Sequence, residues 1–503
     1  MDILNGFIVG IQVAFQPTNL FFCFIGCITG TLVGVLPGLG PTAVISLLLP
    51  MTFHLNPISG VIMLAGIYYG AMYGGSTTSI LVNIPGEAAS VVTCLDGYKM
   101  ALKGRAGPAL GMSAIGSFIA GTVGVILLMV MSPPLAELAL KFGPPEYFSL
   151  MILGLTLLAF LSSSSISRSM TMAGAGLFLG TVGLDNLTGL PRFTFDLSTL
   201  TDGIDLVPVV MGLFGVSEVL SNLEQHIATR EILKTKIKNL FPSKKDWLKV
   251  KWTLVRGTLI GFFLGILPGG GAIIASFASY AVEKRCSKEP ETFGTGAIEG
   301  VAGPEAANNA AASGAFIPML TLGIPANAVM AVLLGALIIH GVQPGPFLIK
   351  ERPDLFWGVI TSMYVGNVML LFLNLPLIGL WVRALRVPYG ILFPLILLFC
   401  LIGSFSLKNN IWDMFTMIIF GIVGYLFRKY KYDTPSLVLA FVLGPMMEAS
   451  LRRSLLLSNG NPFVFFQRPI SVVFLVAAVV LVLSSVLPGL RKKRETIVVE
   501  TDD

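Results

Sequence analysis

Charge is what this chain has least of. Asp, Glu, Lys and Arg together make up 12% of its 503 residues, about half the share usual in a soluble protein. A soluble globule is excluded. No Lys or Arg occurs before Lys99. The basic leading region of a cleavable secretory signal is therefore missing, and the first helices are expected to stay in the mature protein. The five cysteines (Cys23, Cys27, Cys94, Cys286 and Cys400) contain no CxxC pair and form no even framework. They read as small core residues, with Cys23 and Cys27 on one helix face. There are three histidines and no HExxH motif. No paired aspartates sit in adjacent apolar runs, and no GxSG elbow has a histidine to work with, so the intramembrane proteases lack their chemistry here.

What is present is apolar sequence in runs of about 20 residues, the length of a membrane-spanning helix. The hydrophobic share is 54% and the mean hydropathy +0.83. Glycine (55) and proline (30) are abundant, as in membrane helices. A β-barrel would show short alternating segments instead. The net charge of +6 is no nucleic-acid signal. The basic residues cluster between apolar runs, where they set topology.

The stretch from Tyr68 to Gly111 stands out. It opens apolar and is expected to break at Gly74-Gly75, run through Ser76-Thr77-Thr78-Ser79, and break again at Asn83-Ile84-Pro85-Gly86. Hydroxyls and helix breaks at membrane depth are costly unless they are buried in protein or line a cavity. Half-helix ends and bare carbonyls there suit an anion with a coupling cation. The alternative is a kinked structural helix whose hydroxyls bond its own carbonyls.

Residues 1–16 are mildly amphipathic. Residues 18–53 carry an apolar run interrupted by the Gly34-to-Pro41 loop. Further apolar segments lie near 108–131, 147–166, 169–185 and 205–222. The region 223–256 is polar and basic, with Lys234, Lys236, Lys238, Lys244, Lys245, Lys249, Lys251 and Arg256. It reads as a cytoplasmic linker that also favours anionic lipid.

After the linker the pattern returns. GTLIGFFLGILPGGG at 257–271 parallels GCITGTLVGVLPGLG at 26–40, with Pro37 and Pro268 231 residues apart. AAASGAFIPMLTLGIPANAV parallels GGSTTSILVNIPGEAASVV, with Pro85 and Pro325 240 residues apart. Two such pairs in the same order mark an internal duplication: 1–222 as a first repeat, 223–256 as linker, 257–490 as a second repeat with a C-terminal span, and 491–503 as a tail. Counting spans back from the linker places Lys99–Arg105 in the cytoplasm. Counting back from the basic tail Arg491–Arg494 over segments near 471–488, 434–450, 411–427, 387–406 and 355–382 places Lys350–Arg352 outside. Arg452-Arg453 then also falls outside. The expected fold is an all-α polytopic membrane protein of two inverted-topology repeats with broken or re-entrant helices, about 10–12 spans in all.

These motifs also resemble a known family. GVLPGLGPT (34–42), YGGSTTSILVNIPGEAASVVTCLDGYKMALKGRAG (73–107), GILPGGG (265–271), EGVAGPEAANNAAASGAFIPMLTLGIP (299–325) and HGVQPGP (340–346) are similar to signatures of TctA, the large integral membrane subunit of the tripartite tricarboxylate transporters. The resemblance implies a multi-pass bacterial inner-membrane secondary transporter. Its partners would be a small TctB-like membrane subunit and a periplasmic TctC-like solute-binding protein. It would take up citrate-like tricarboxylates or related organic anions on a cation gradient, sodium favoured over protons, with no other cofactor. A homodimer is compatible with it, and a stand-alone anion channel or an intramembrane enzyme is the alternative. At Ala326-Asn327 the family more often has Gly-Ser, a departure that bears on the substrate.

Hydroxyl and amide groups at a helix break can hold an anion without a permanent cation that would trap it. Candidates are Ser76, Thr77, Thr78, Ser79, Ser313 and Asn327. For the cation the candidates are Asn83, Asn308, Asn309 and Glu305, with carbonyls freed around Pro85 and Pro325. Glu87 is a further cation or proton candidate, because an intramembrane carboxylate is by default functional. Asp96, at an apparent membrane edge, reads as a loop cap. His340 reads as structural.

Overall fold

The computed structural model describes residues 3–36, 40–161, 165–185, 187–224, 240–269, 271–385 and 389–486. The loop residues 37–39, linker residues 225–239 (with Lys234, Lys236, Lys238 and His226) and the basic tail lie outside the described residues. The fold is helical, and among the described residues the sole sheet is a two-residue ladder pairing Gly183–Leu184 with Pro191–Arg192. Among the described residues seven helices are long and apolar enough to cross a membrane, and six shorter apolar helices of 10–17 residues accompany them. The all-α polytopic reading stands.

At the centre is the helix Pro57–Val82. Asn56 accepts the Ile58 N–H at 3.0 Å and proline fills the first turn, a well-specified start. All but the two terminal residues are buried, as expected of a helix that is apolar on every side. It runs straight through Gly74-Gly75, so the first of the two expected breaks does not exist. Those glycines thin the helix surface so that other backbone can approach. A Cβ at Gly74 would lie 2.3 Å from the Thr31 carbonyl, and one at Gly75 would lie 2.8 Å from Glu87 Cγ. The second break is real. The helix stops at Asn83 with φ 58° and ψ 33°, a left-handed position that asparagine tolerates. Pro85 then forbids its resumption.

The second half repeats this plan. The helix Glu299–Gly314 passes through Pro304, continues as Phe316–Leu322 and stops at Gly323 with φ 70° and ψ 23°. Pro325 follows two residues later, as Pro85 follows Asn83.

The helices that carry the paired motifs pack alike. The helix Pro17–Val35 lies against Pro57–Val82, and Lys244–Ile266 lies against Glu299–Gly314. In the first pair, Cβ atoms at Gly26, Gly30 and Gly34 would meet the carbonyls of Met63, Ile67 and Ala71 at 2.3–2.4 Å. In the second, Gly257, Gly261 and Gly265 face the carbonyls of Gly303, Ala307 and Ala311. The glycines are related by the 231-residue spacing and the carbonyls by the 240-residue spacing. Small residues at every fourth position are how membrane helices bring their backbones together. The helix that leads into GILPGGG begins at Lys244, inside the basic stretch, and its start is fixed by a Ser243–Asp246 capping box.

The equivalent helices of the two halves run antiparallel. Ser76 bonds Glu305, while Tyr68, two turns earlier, rests against the Phe316 ring. Away from the breaks, a cavity of about 1010 Å³ is lined by Leu179, Asp185, Arg192, His340 and Arg452 among others. Arg452 pairs there with Asp185 at 2.6 Å and with Glu448 at 3.1 Å.

Candidate functional site

Four successive hydroxyls on a continuous helix cannot line one loop, because each residue turns about 100° from the last. They diverge accordingly. Ser76 Oγ donates to Glu305 Oε2 at 2.5 Å. Thr77 is buried. Thr78 Oγ1 donates to the Val35 carbonyl at 2.7 Å, closing the last turn of the neighbouring helix. Ser79 Oγ lies 3.0 Å from the Gly75 carbonyl and 3.0 Å from both Ser90 oxygens, and so ties down the turn that follows the break.

Glu305 is the busiest group. Its side chain is fully buried and it sits on the second-half helix. It accepts from Ser76, from Thr93 and from Ser113 (3.3 Å), all in the first half. Its neighbour Asn309 donates to Ser117 Oγ at 2.7 Å and to the Glu305 carbonyl at 3.0 Å. Hydroxyl donors can satisfy a buried carboxylate without any positive side chain. Sequence reasoning missed Thr93, Ser113 and Ser117. The signal for the two serines was their i, i+4 spacing in an otherwise apolar span, which puts both on one inward face.

Beyond each break the chain does the same thing. Glu87 caps the short turn Ala88–Ser90, accepting the Ala89 N–H at 2.8 Å, and its other oxygen takes the Asn308 amide N–H at 3.1 Å. Asn327 caps the helix Ala328–Ile339, accepting the Met330 N–H at 2.9 Å, and its amide donates to the Tyr68 hydroxyl at 3.1 Å. Glu87 and Asn327 are 240 residues apart, as are Tyr68 and Asn308. One contact is therefore the other carried through a two-fold exchange of halves. Tyr68 was not singled out in the sequence, although the spacing points from Asn308 straight to it.

The remaining candidates fall around this core. Asn83 is exposed and ends its helix, Pro85 is half-buried and Pro325 buried. Ser313 bonds back to the Asn309 carbonyl at 3.3 Å. Three carbonyls around the second break have donors: Pro318 takes Ile324 N–H, Leu320 takes Gly345 N–H, and Ala326 takes Gly269 N–H at 2.9 Å. The last of these joins the GILPGGG loop to the GIPAN loop. Asp96 is buried and caps across the halves, accepting from Gly296 and Ala297 N–H and from Tyr280. His340 Nε2 lies 3.0 Å from Thr52 Oγ1.

The model of the tripartite tricarboxylate transporter TctA family matches residues 20–439, which takes in both breaks and the seams that carry them. The chain belongs to the TctA family. Like other TctA subunits it is a multi-pass inner-membrane component of a tripartite tricarboxylate transporter, a transport and not an enzymatic family, working with TctB and TctC partners. Two relatives from Agrobacterium vitis are similar. One is an uncharacterized 52.8 kDa protein in the TAR-I ttuC' 3' region, 51% identical over 502 residues and covering 100% of both chains. The other is an uncharacterized protein in the TAR-II ttuC' 3' region, 52% identical over 242 residues, which are 48% of this chain and 100% of that one. No solved structure matches.

Proposed function

We propose that this TctA subunit is a cation-coupled secondary transporter that takes up a citrate-like or related organic anion by alternating access, fed by its periplasmic binding protein. The observation that carries the reading is the two-fold-related pair of broken helices, each with a capping side chain that reaches into the other half. Such breaks at an interface between inverted repeats are where transporters hold substrate and ion. The second amide N–H of Asn327 and the proton of the Tyr68 hydroxyl, which their mutual bond leaves over, offer neutral donors to the anion. A divalent anion moving inward against a negative potential costs roughly 2.3 kcal/mol per charge per 100 mV. Two cations bring neutrality, and a third lets the potential drive uptake. Sodium is favoured over protons as the driver.

The test is uptake into proteoliposomes containing both membrane subunits, with the binding protein and a labelled tricarboxylate supplied outside. We expect accumulation with an inward sodium gradient and little with a proton gradient alone. Uptake indifferent to both gradients would remove cation coupling.

Inverted topology is part of the same reading. The antiparallel run of the equivalent helices supports it, and the ion pairs of Arg452 explain how an arginine can sit outside without acting as a topology signal. Single cysteines replacing Lys103 and Arg352 in a cysteine-free background are expected to label from the cytoplasm and the periplasm respectively. Labelling of both from one side would overturn the inversion.

A further inference from the structure

The two-fold-related contacts differ in one chemical respect. In the Asn327–Tyr68 pair the amide oxygen accepts from Met330 N–H and the amide nitrogen donates to the phenol, so both ends of the amide are used. In the Glu87–Asn308 pair the amide nitrogen of Asn308 donates to Glu87, but its Oδ1 has no partner although the side chain is fully buried. Turning the amide over would set two acceptors against each other. One half thus presents a carboxylate beside a donor-free amide oxygen, and the other presents a neutral pair.

From this we infer that Glu87 and Asn308 Oδ1 form the binding site for a monovalent alkali cation, while the related position at Asn327 takes none. The inference rests on the cation-coupled reading and assigns residues to it. Unlike Glu305, the Glu87 carboxylate has no hydroxyl cage and takes one backbone N–H and one amide N–H, so a cation beside it would compensate its buried charge. Among the described residues no Lys, Arg or His forms an ion pair with Glu87. The amide oxygen at its side can accept only from a donor or a cation. Carboxylate and amide oxygens are the ligands a hard cation takes. Glu305 is a different case. Three hydroxyls already point their protons at its oxygens, so it acts as a clamp between the halves. The first break itself keeps Glu87 in place. Gly75 lets the turn lie against the long helix, and Gly86 fits where a Cβ would be 1.9 Å from the Gly34 carbonyl.

Binding can be read without transport. The full-length chain, purified in detergent, is heated in sodium, lithium, potassium or choline chloride at constant ionic strength, and Tm is followed against cation concentration. Sodium is expected to raise the Tm of the unmodified protein while choline does not. Asn308→Ala should raise the half-saturating sodium concentration by at least the roughly 10–100-fold that changes around a metal ligand cost. Asn308→Asp sets a second carboxyl against Glu87 in place of the amide N–H, and above the pH at which that pair gives up its shared proton it should lower the half-saturating concentration. Glu87→Gln, which keeps an acceptor for the Ala89 N–H, should abolish the sodium effect. Gly174→Ala, at a position with nothing within 4 Å of the added carbon, should respond like the parent.

A sodium response unchanged in Asn308→Ala and Asn308→Asp would overturn the assignment while leaving coupling intact. A Tm that follows pH instead of sodium, and loses that dependence in Glu87→Gln, would overturn it in favour of a proton on Glu87. The absence of any cation effect, together with gradient-indifferent uptake, would bring down the coupling reading itself. If Glu87→Gln does not fold, the opposite shifts expected of the two Asn308 variants still decide the question.

Discussion

Glu305→Ala is expected to be among the most damaging single substitutions in the chain, lowering the Tm of the detergent-solubilised protein by many degrees or preventing its recovery. The substitution removes an acceptor shared by Ser76, Thr93 and Ser113, three residues on three separate first-half segments. Each buried donor left without a partner costs about 1–3 kcal/mol, so the loss is on the order of 3 kcal/mol or more. That is a large share of the roughly 5–15 kcal/mol that holds a typical domain folded. The same side chain also ties the two halves together. Glu305→Gln should be milder, because its amide keeps one acceptor and hydroxyls can rotate to accept from the new N–H groups. Thermal unfolding of the three proteins side by side checks this. A Glu305→Ala protein as stable as its parent would show that the hydroxyl cage is not what joins the halves.

The second large effect concerns the glycine seams. A Cβ at Gly261 would sit 2.1 Å from the Ala307 carbonyl oxygen and 2.6 Å from Ala307 Cα. Both atoms are backbone, so no side chain can swing away and the two helices must separate. Overpacking of this kind costs typically 1–3 kcal/mol and sometimes more. Gly30, whose Cβ would lie 2.4 Å from the Ile67 carbonyl, should behave alike. Gly261→Ala and Gly30→Ala are each expected to cut the yield of monodisperse protein on size-exclusion chromatography severely. Gly174→Ala should match or slightly exceed the parent in stability, since alanine is preferred to glycine in a helix by up to about 1 kcal/mol. Equal yields from all three would mean that close backbone contact is not what holds the seams.

Much of the architecture was legible because it is carried by local chemistry. Asn83 before Ile84-Pro85, and Gly323 before Ile324-Pro325, each pair a left-handed-tolerant residue with a proline two positions on. That stops a helix whatever surrounds it. The spacings of 231 and 240 residues also pointed to the helices that pack alike in the two halves. Gly74-Gly75 misled for a physical reason. Glycine both weakens a helix and lets another backbone approach it, and only the packed partners Thr31 and Glu87 reveal which use applies. The cross-half contacts needed tertiary structure, since nothing local to Tyr68 or Asn308 says what they face. The roles of Thr78 and Ser79 were hidden likewise. A hydroxyl run looks like a ligand shell until Val35 and Ser90 are seen to occupy it.

The seams between paired helices carry a consequence for movement. Gly26, Gly30 and Gly34, and in the other half Gly257, Gly261 and Gly265, interlock with carbonyls at the same four-residue period. A helix held this way cannot creep along its neighbour by a fraction of an ångström, because every intermediate offset drives side chains of the intervening positions into the facing backbone. The next register that fits is one four-residue repeat away, about 6 Å at 1.5 Å per residue. Each pair of interlocked helices therefore behaves as a stiff plate with notched edges. Gradual sliding inside a plate is disallowed, and whatever opens the path to one side of the membrane and then the other has to pivot or translate whole plates.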